Sequence, residues 1–125
     1  MQESETVSLE ELDNEKYARV LCYPRCNSLE TAKRIRELKR LGVRTIEFSG
    51  EKRAFNMPVL GKGCVGLVVV ANTETGRVAL KIRRVDADRK GMEHEAEMLK
   101  KANSIGIGPR FIGFDEDFLL MEFIE

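Results

Sequence analysis

The chain has 125 residues, 42% of them hydrophobic, and its 21 lysines and arginines balance 21 aspartates and glutamates. That is enough for one modest core and too little for two full domains, and a net charge of zero supplies no overall field to draw the chain to nucleic acid or anionic lipid. No window approaches the ~18 apolar residues of a membrane span, and the opening MQESETVSLEELD has neither a basic leader nor an apolar run, so the expected location is the cytoplasm, with no membrane partner.

The balanced total hides two runs of one sign. Glu3, Glu5, Glu10, Glu11, Asp13 and Glu15 come first, and Lys33, Arg34, Arg36, Lys39, Arg40 and Arg44 come later; both read as solvated faces. Cys22, Cys26 and Cys64 are too few for a disulfide framework and read as reduced thiols. Cys22 and Cys26 form a C-x-x-x-C pair around Tyr23-Pro24-Arg25, but zinc needs four ligands and only His94 could join them, so no metal site is expected.

In chain order, Ser8-Leu9-Glu10-Glu11 is a capping box with Val7 and Leu12 placed as a hydrophobic staple, which predicts a helix from Ser8 to about Val20. Pro24 breaks the chain. Asn27, with Glu30 three residues on, predicts a second helix whose stripe is Leu29, Ala32, Ile35, Leu38 and Leu41 and which ends at Gly42. From Val43 the period changes: VRTIEFS, AFNMPVLG, GLVVVAN and RVALKIR read as strands, the last two joined by a tight turn at Thr73-Glu74-Thr75-Gly76. Next come a helix over about Asp88 to Asn103, the breaker Gly106-Ile107-Gly108-Pro109, and strands RFIGF and FLLMEFI joined at Asp115-Glu116-Asp117.

Chemistry concentrates where a helix meets a strand. The third helix carries Met92, Glu95, Ala96, Leu99 and Ala102 on one stripe, so one carboxylate lies on its packed side and must either snorkel to an edge or find a cation, because an unpaired buried charge is costly. Glu93 and Glu97 fall off that stripe, and His94 reads as a solvated helix residue. In the strand RVALKIR, Lys81 shares a side with Ala79 and Arg83, opposite Val78, Leu80 and Ile82. A lysine held by Glu95 and facing a glycine-rich hairpin, Gly61-x-Gly63-x-x-Gly66, is a cationic pocket suited to phosphate, since glycine lets backbone N–H groups come close to oxygen.

Gly61-x-Gly63-x-x-Gly66-x-Val68, then Val78-Ala79-Leu80-Lys81, then Glu95-x-x-Met98-Leu99, then Leu120-Met121-Glu122-Phe123-Ile124 resembles, over roughly residues 50 to 125, the amino-terminal lobe of the protein kinase superfamily. VLGKGCVGLVVV, VALKIRR and ANSIGIGPRFIG further resemble small archaeal predicted serine/threonine kinases. The resemblance implies an α+β fold: an antiparallel sheet of five or six strands with one packed helix over residues 49–125, preceded by a two-helix extension over residues 1–48. It implies that Gly61, Gly63 and Gly66 cover the phosphates of ATP, that Lys81 contacts the α and β phosphates, and that Glu95 orients Lys81. Val68 and Ala79 would cover the adenine, Met121 would be the gatekeeper, the backbone of Glu122 and Ile124 would meet the adenine edge, and Leu60 would close the ribose side. Val65 stands where the family commonly has an aromatic residue, beside Cys64, which is modifiable where exposed.

No H-R-D-x-x-x-x-N or D-F-G run occurs among these residues. Those segments supply the catalytic aspartate and the magnesium ligands, so a serine/threonine kinase activity on a protein substrate is expected only with a further, catalytic lobe, and the 125 residues alone are expected to be inactive. Two other functions compete. The helix Asn27 to Leu41, with a wing around Glu47 to Phe55, could read a DNA major groove, although Glu30 and Glu37 interrupt its basic face. A scaffold would keep the fold and bind no nucleotide.

Overall fold

The computed structural model describes residues 4–87 and 91–124. The elements run β1 (Ser4–Ser8), a 3-10 turn (Glu10–Asp13), α1 (Glu15–Leu21), α2 (Ser28–Arg40), β2 (Val43–Ser49), β3 (Lys52–Ala54), β4 (Met57–Val59), β5 (Gly61–Lys62), β6 (Gly66–Thr73), β7 (Gly76–Arg83), α3 (Glu93–Ser104), β8 (Phe111–Phe114) and β9 (Phe118–Glu122). The fold is α+β, as expected. Its main sheet is antiparallel with seven strands among the described residues, in the order β1-β2-β6-β7-β9-β8, with β5 on β6, while β3 and β4 form a separate hairpin.

The amino terminus differs from expectation. The capping box forms: the Ser8 amide and hydroxyl donate to Glu11 Oε1 at 3.1 and 3.0 Å, and the Glu11 amide donates back to Ser8 Oγ at 3.3 Å. The box starts only a 3-10 turn, and a new helix begins at Asn14, whose side chain accepts from the Lys16 amide. Residues 4–8, instead of leading into a helix, pair along β2 from Ser4 opposite Ser49 to Ser8 opposite Thr45. The expected helix from Ser8 to Val20 is therefore replaced by a strand end, a turn and the short α1. Backbone pairing with a strand some forty positions away wins because it also buries Val7, Leu9 and Leu12 in one core.

In α2 the caps are as expected: Asn27 Oδ1 accepts from the Glu30 amide at 2.8 Å, and Gly42 lies just past the helix with φ +84°. The buried face is as expected only in part: Leu38 is buried and Ile35 and Leu41 pack against the core, but Leu29 is 84% exposed and Ala32 is exposed, and Thr31, Arg34 and Glu37 are buried instead. The helix is turned because its interior side meets charge. Arg34 donates to Glu30 Oε2 (2.7 Å), to the carbonyls of Leu21 (3.0 Å) and Arg83 (2.5 Å), and to Asp117 Oδ1 (3.3 Å). Asp117 also accepts from Lys33 at 3.0 Å and from Arg83 at 2.8 Å. A buried guanidinium needs this many acceptors to offset its lost hydration.

AFNMPVLG, expected as a single strand, folds back on itself. Ala54 pairs with Met57 around Phe55 and Asn56, whose φ values of 48° and 66° are those of a two-residue hairpin turn. The β6–β7 hairpin is as expected, with Thr73 opposite Gly76. The third helix begins at Glu93; its expected start at Asp88 lies outside the described residues.

Strand alternation gives the sheet two faces. Val78, Leu80 and Ile82 pack with Leu67, Val69, Val20, Leu21, Leu38, Ile46 and Phe48 in one core that runs across residue 48, and Tyr17 stacks on Phe48 at 5.8 Å. A smaller cluster, Met92, Ala96 and Leu119 with Leu99 and Phe111, seats α3 against the other face.

Candidate functional site

On β7, Lys81 stands in register between Val68 of β6 and Leu119 of β9, and Leu119 belongs to the cluster that holds α3. Lys81 therefore faces α3. On that helix Met92 and Ala96 are buried, Glu93, His94 and Glu97 are exposed, and Glu95 is half-buried. Lys81 Nζ donates to Glu95 Oε1 at 2.5 Å, with both side chains about one-quarter exposed, at 24% and 23%. A strand period of two and a helix period of 3.6 thus bring together two charges that the sequence separates by fourteen positions. The carboxylate fixes the direction of the ammonium while leaving its remaining N–H donors available.

Residues 60–68 form the neighbouring hairpin. The Leu60 amide donates to the Val68 carbonyl at 2.8 Å, Gly61 pairs with Val68, and the Gly63 amide donates to the Gly66 carbonyl at 3.0 Å. The three glycines have different reasons to be glycine. A Cβ on Gly66 would stand 2.1 Å from the Ile82 carbonyl oxygen, so close approach of β6 to β7 excludes any side chain there. A Cβ on Gly61 would meet only Val68 at 3.7 Å, and one on Gly63 would meet nothing within 4 Å, so the packing demands glycine at neither position.

The same face carries the remaining sequence-predicted residues in part. Val68 is half-buried, Ala79 is buried opposite Met121 of β9, and Met121 is half-buried. Glu122 is the last residue of β9, opposite Val78; its amide donates to the Arg110 carbonyl at 2.8 Å and its Oε1 accepts from the Arg110 amide at 3.1 Å. Ile124 lies beyond the strand and is 66% exposed, so the register does not tie it to the others.

A clamp on the hairpin tip went unread in the sequence. The Arg84 amide donates to the Val65 carbonyl at 2.8 Å, its Nη1 reaches the Gly63 carbonyl at 3.4 Å, and its guanidinium lies 5.0 Å over the Tyr23 ring. Asp86 grips the same guanidinium at 2.8 and 2.9 Å, and this hydrogen bonding holds the Asp86 carboxyl below the usual carboxylate range. The Arg84-x-Asp86 spacing was the available signal; the tertiary contacts to residues 23, 63 and 65 had none.

Part of the basic run along α2 and into β2 is engaged within the chain, while Arg36, Lys39 and Arg44 are exposed. Arg34 is buried, Lys33 bridges Asp117 and Glu116, and Arg40 pairs with Asp115 at 3.1 Å. The segment expected as a wing is part of two different pairings, β2 in the main sheet and β3 with β4. A cavity of about 470 Å³ lies at the turn end of β6 and β7, lined among others by Lys39, Leu41, Arg44, Thr75 and Ile112, away from Lys81. Among the described residues no group of three or more His, Cys, Asp or Glu side chains could hold a metal ion, and no helix is long and apolar enough to cross a membrane. No family model, no curated protein and no solved structure matches this chain.

Proposed function

We propose that residues 49–125 form an ATP-binding lobe of the protein-kinase type, which acts as a phosphotransferase on serine or threonine of a protein substrate, in the cytoplasm, when joined by a lobe carrying the catalytic aspartate and the magnesium ligands. The observation that carries this reading is the Lys81–Glu95 ion pair, a cation held in place by a carboxylate from another element beside a glycine hairpin. Gly61 and Gly63 support it: neither has a positive φ or a crowded Cβ position, so close approach by a ligand is a reason for glycine that the packing does not supply.

In this reading Gly61, Gly63 and Gly66 and the Lys81 ammonium hold the phosphates, Glu95 positions Lys81, and Val68, Ala79 and Met121 with Leu60 give the base and ribose an apolar surface. The backbone of Glu122 and Ile124 meets the adenine edge. Bound ATP with magnesium supplies the transferable phosphoryl group; these residues bind and orient it. With one side of a cleft only, affinity is expected to be weak.

The test is titration of the whole chain with ATP, monitored through amide chemical shifts. Saturable shifts at residues 61–68 and 79–81 are expected, and Lys81→Met should weaken binding about tenfold or more through loss of one charge-assisted contact. Glu95→Gln should weaken it less while leaving the fold intact. Absence of saturable shifts, or equal affinity in folded Lys81→Met, would defeat the proposal.

A further inference from the structure

Cys22 and Cys26 converge on one atom. Cys22 closes α1 and is fully buried; Cys26 is exposed and stands just before Asn27, the cap of α2. Thr31 Oγ1 lies 3.4 Å from Cys22 Sγ and 3.5 Å from Cys26 Sγ, so the sulfurs can be no farther apart than the sum of those distances. The Thr31 hydroxyl gives its single proton to the Asn27 carbonyl at 2.9 Å, which leaves its oxygen as an acceptor for both S–H groups. Two thiols thus share a lone-pair site across a loop of three residues, one facing solvent and one facing the core.

We propose that Cys22 and Cys26 form a reversible dithiol–disulfide site, whose oxidant is a peroxide. Cys26, the accessible partner, reacts first: its thiolate sulfur attacks a peroxide oxygen, the O–O bond breaks, and with hydrogen peroxide the leaving hydroxide takes up the thiol proton as water, giving a sulfenic acid. The Cys22 sulfur then attacks the Cys26 sulfur, the S–O bond breaks, and the hydroxyl leaves with the Cys22 proton as a second water. Two thiols and one peroxide become one disulfide and two waters; a dithiol reductant reverses the bond by exchange. Cys22 suits the second role, because burial first of all pushes its thiol above the ordinary range and keeps it from reacting with oxidant on its own.

The position gives the bond a consequence. Between the cysteines lies Tyr23, whose carbonyl accepts from the Val85 amide at 2.9 Å and whose ring sits beneath Arg84 and 5.8 Å from Lys62 Nζ. Closing the disulfide tightens the residue against which the glycine hairpin and its Arg84 clamp rest. This inference is independent of the nucleotide reading.

The test uses the whole chain with Cys64→Ser, so that the exposed hairpin thiol cannot take part. The reduced protein is treated with hydrogen peroxide under native conditions. Loss of both remaining thiols is expected, with the chain staying monomeric on a non-reducing gel and both thiols returning with dithiothreitol. Trypsin cuts after Arg25, between the cysteines, so peptides 20–25 and 26–33 should travel joined and separate on reduction. Cys22→Ser should leave Cys26 oxidised to sulfenic or sulfinic acid with no joined peptides. Persistence of both thiols, oxidation of Cys26 alone while Cys22 is present, or a bond between two chains would overturn the assignment.

Discussion

Replacing Glu37 by glutamine tests the buried charge cluster beneath α2. Glu37 is 1% exposed; its Oε1 accepts from the Asp117 amide at 2.9 Å, its Oε2 has no hydrogen-bond partner, and the nearest cation, Lys33 Nζ, is 4.0 Å away. Burial above all, with the Asp117 carboxyl beside it, pushes the Glu37 carboxyl up to about 8. Asp117 goes the other way: burial works against its ionisation, but hydrogen bonding with Glu37 and the charges of Arg34, Lys33 and Arg83 overcome that and hold it below the usual carboxylate range. For Glu37 the folded chain keeps a proton that the unfolded chain loses above its ordinary value of 4.5, so the stability it contributes is complete below that value and is lost as pH rises toward 8. Within that window the fall approaches the full one-proton slope, and a rise from about pH 5.5 to about pH 7.5 should therefore cost roughly 2–3 kcal/mol. The Asp117 contribution is lost only below its ordinary 3.8 and does not overlap this window. Urea unfolding at the two pH values should show the midpoint falling by about 1 M or more in the native sequence, and Glu37→Gln should remove most of the fall. A native midpoint that holds level or climbs, or a glutamine variant with the same decline, would refute the account of Glu37.

Other substitutions separate packing from the site. Gly66→Ala drives a methyl group toward the Ile82 carbonyl and should lower stability by about 1–3 kcal/mol in thermal melts, whereas Gly63→Ala, with open space around it, should stay within about 0.5 kcal/mol. Leu38→Ala, at a fully buried position, should cost about 2–5 kcal/mol, and Leu29→Ala next to nothing, although an apolar stripe through both residues would require a cost at each. Loss of the helix cap in Asn27→Ala should cost about 1 kcal/mol, measurable by urea midpoint.

The Lys81–Glu95 pair was legible because each half depends on a local period: alternation put Lys81 opposite the core side of β7, and the helical stripe chose Glu95 over Glu93 and Glu97. The β6–β7 turn was legible for the same reason. The rotation of α2 was not, because what rotates it is Asp117, 83 positions from Arg34, and no window along the helix contains that acceptor. Nor was β1. The signal at Ser8 and Glu11 was genuine and its hydrogen bonds form, but a capping box fixes only one turn, and whether a helix continues depends on what the flanking residues can pair with elsewhere. The tight turn at Phe55-Asn56 was missed because phenylalanine is a poor marker of positive φ.

The order of strands bears on how the molecule can be cut. A version starting at residue 49 would lose β1, all but the last residue of β2, and both helices that roof the core. It would leave β5 on the start of β6 but strip the far half of that strand, from Val70 to Thr73, of its partner on that side, baring unpaired amides and carbonyls there. Such an edge recruits other copies of itself, so trimming the front of this protein should yield aggregates rather than a smaller working unit.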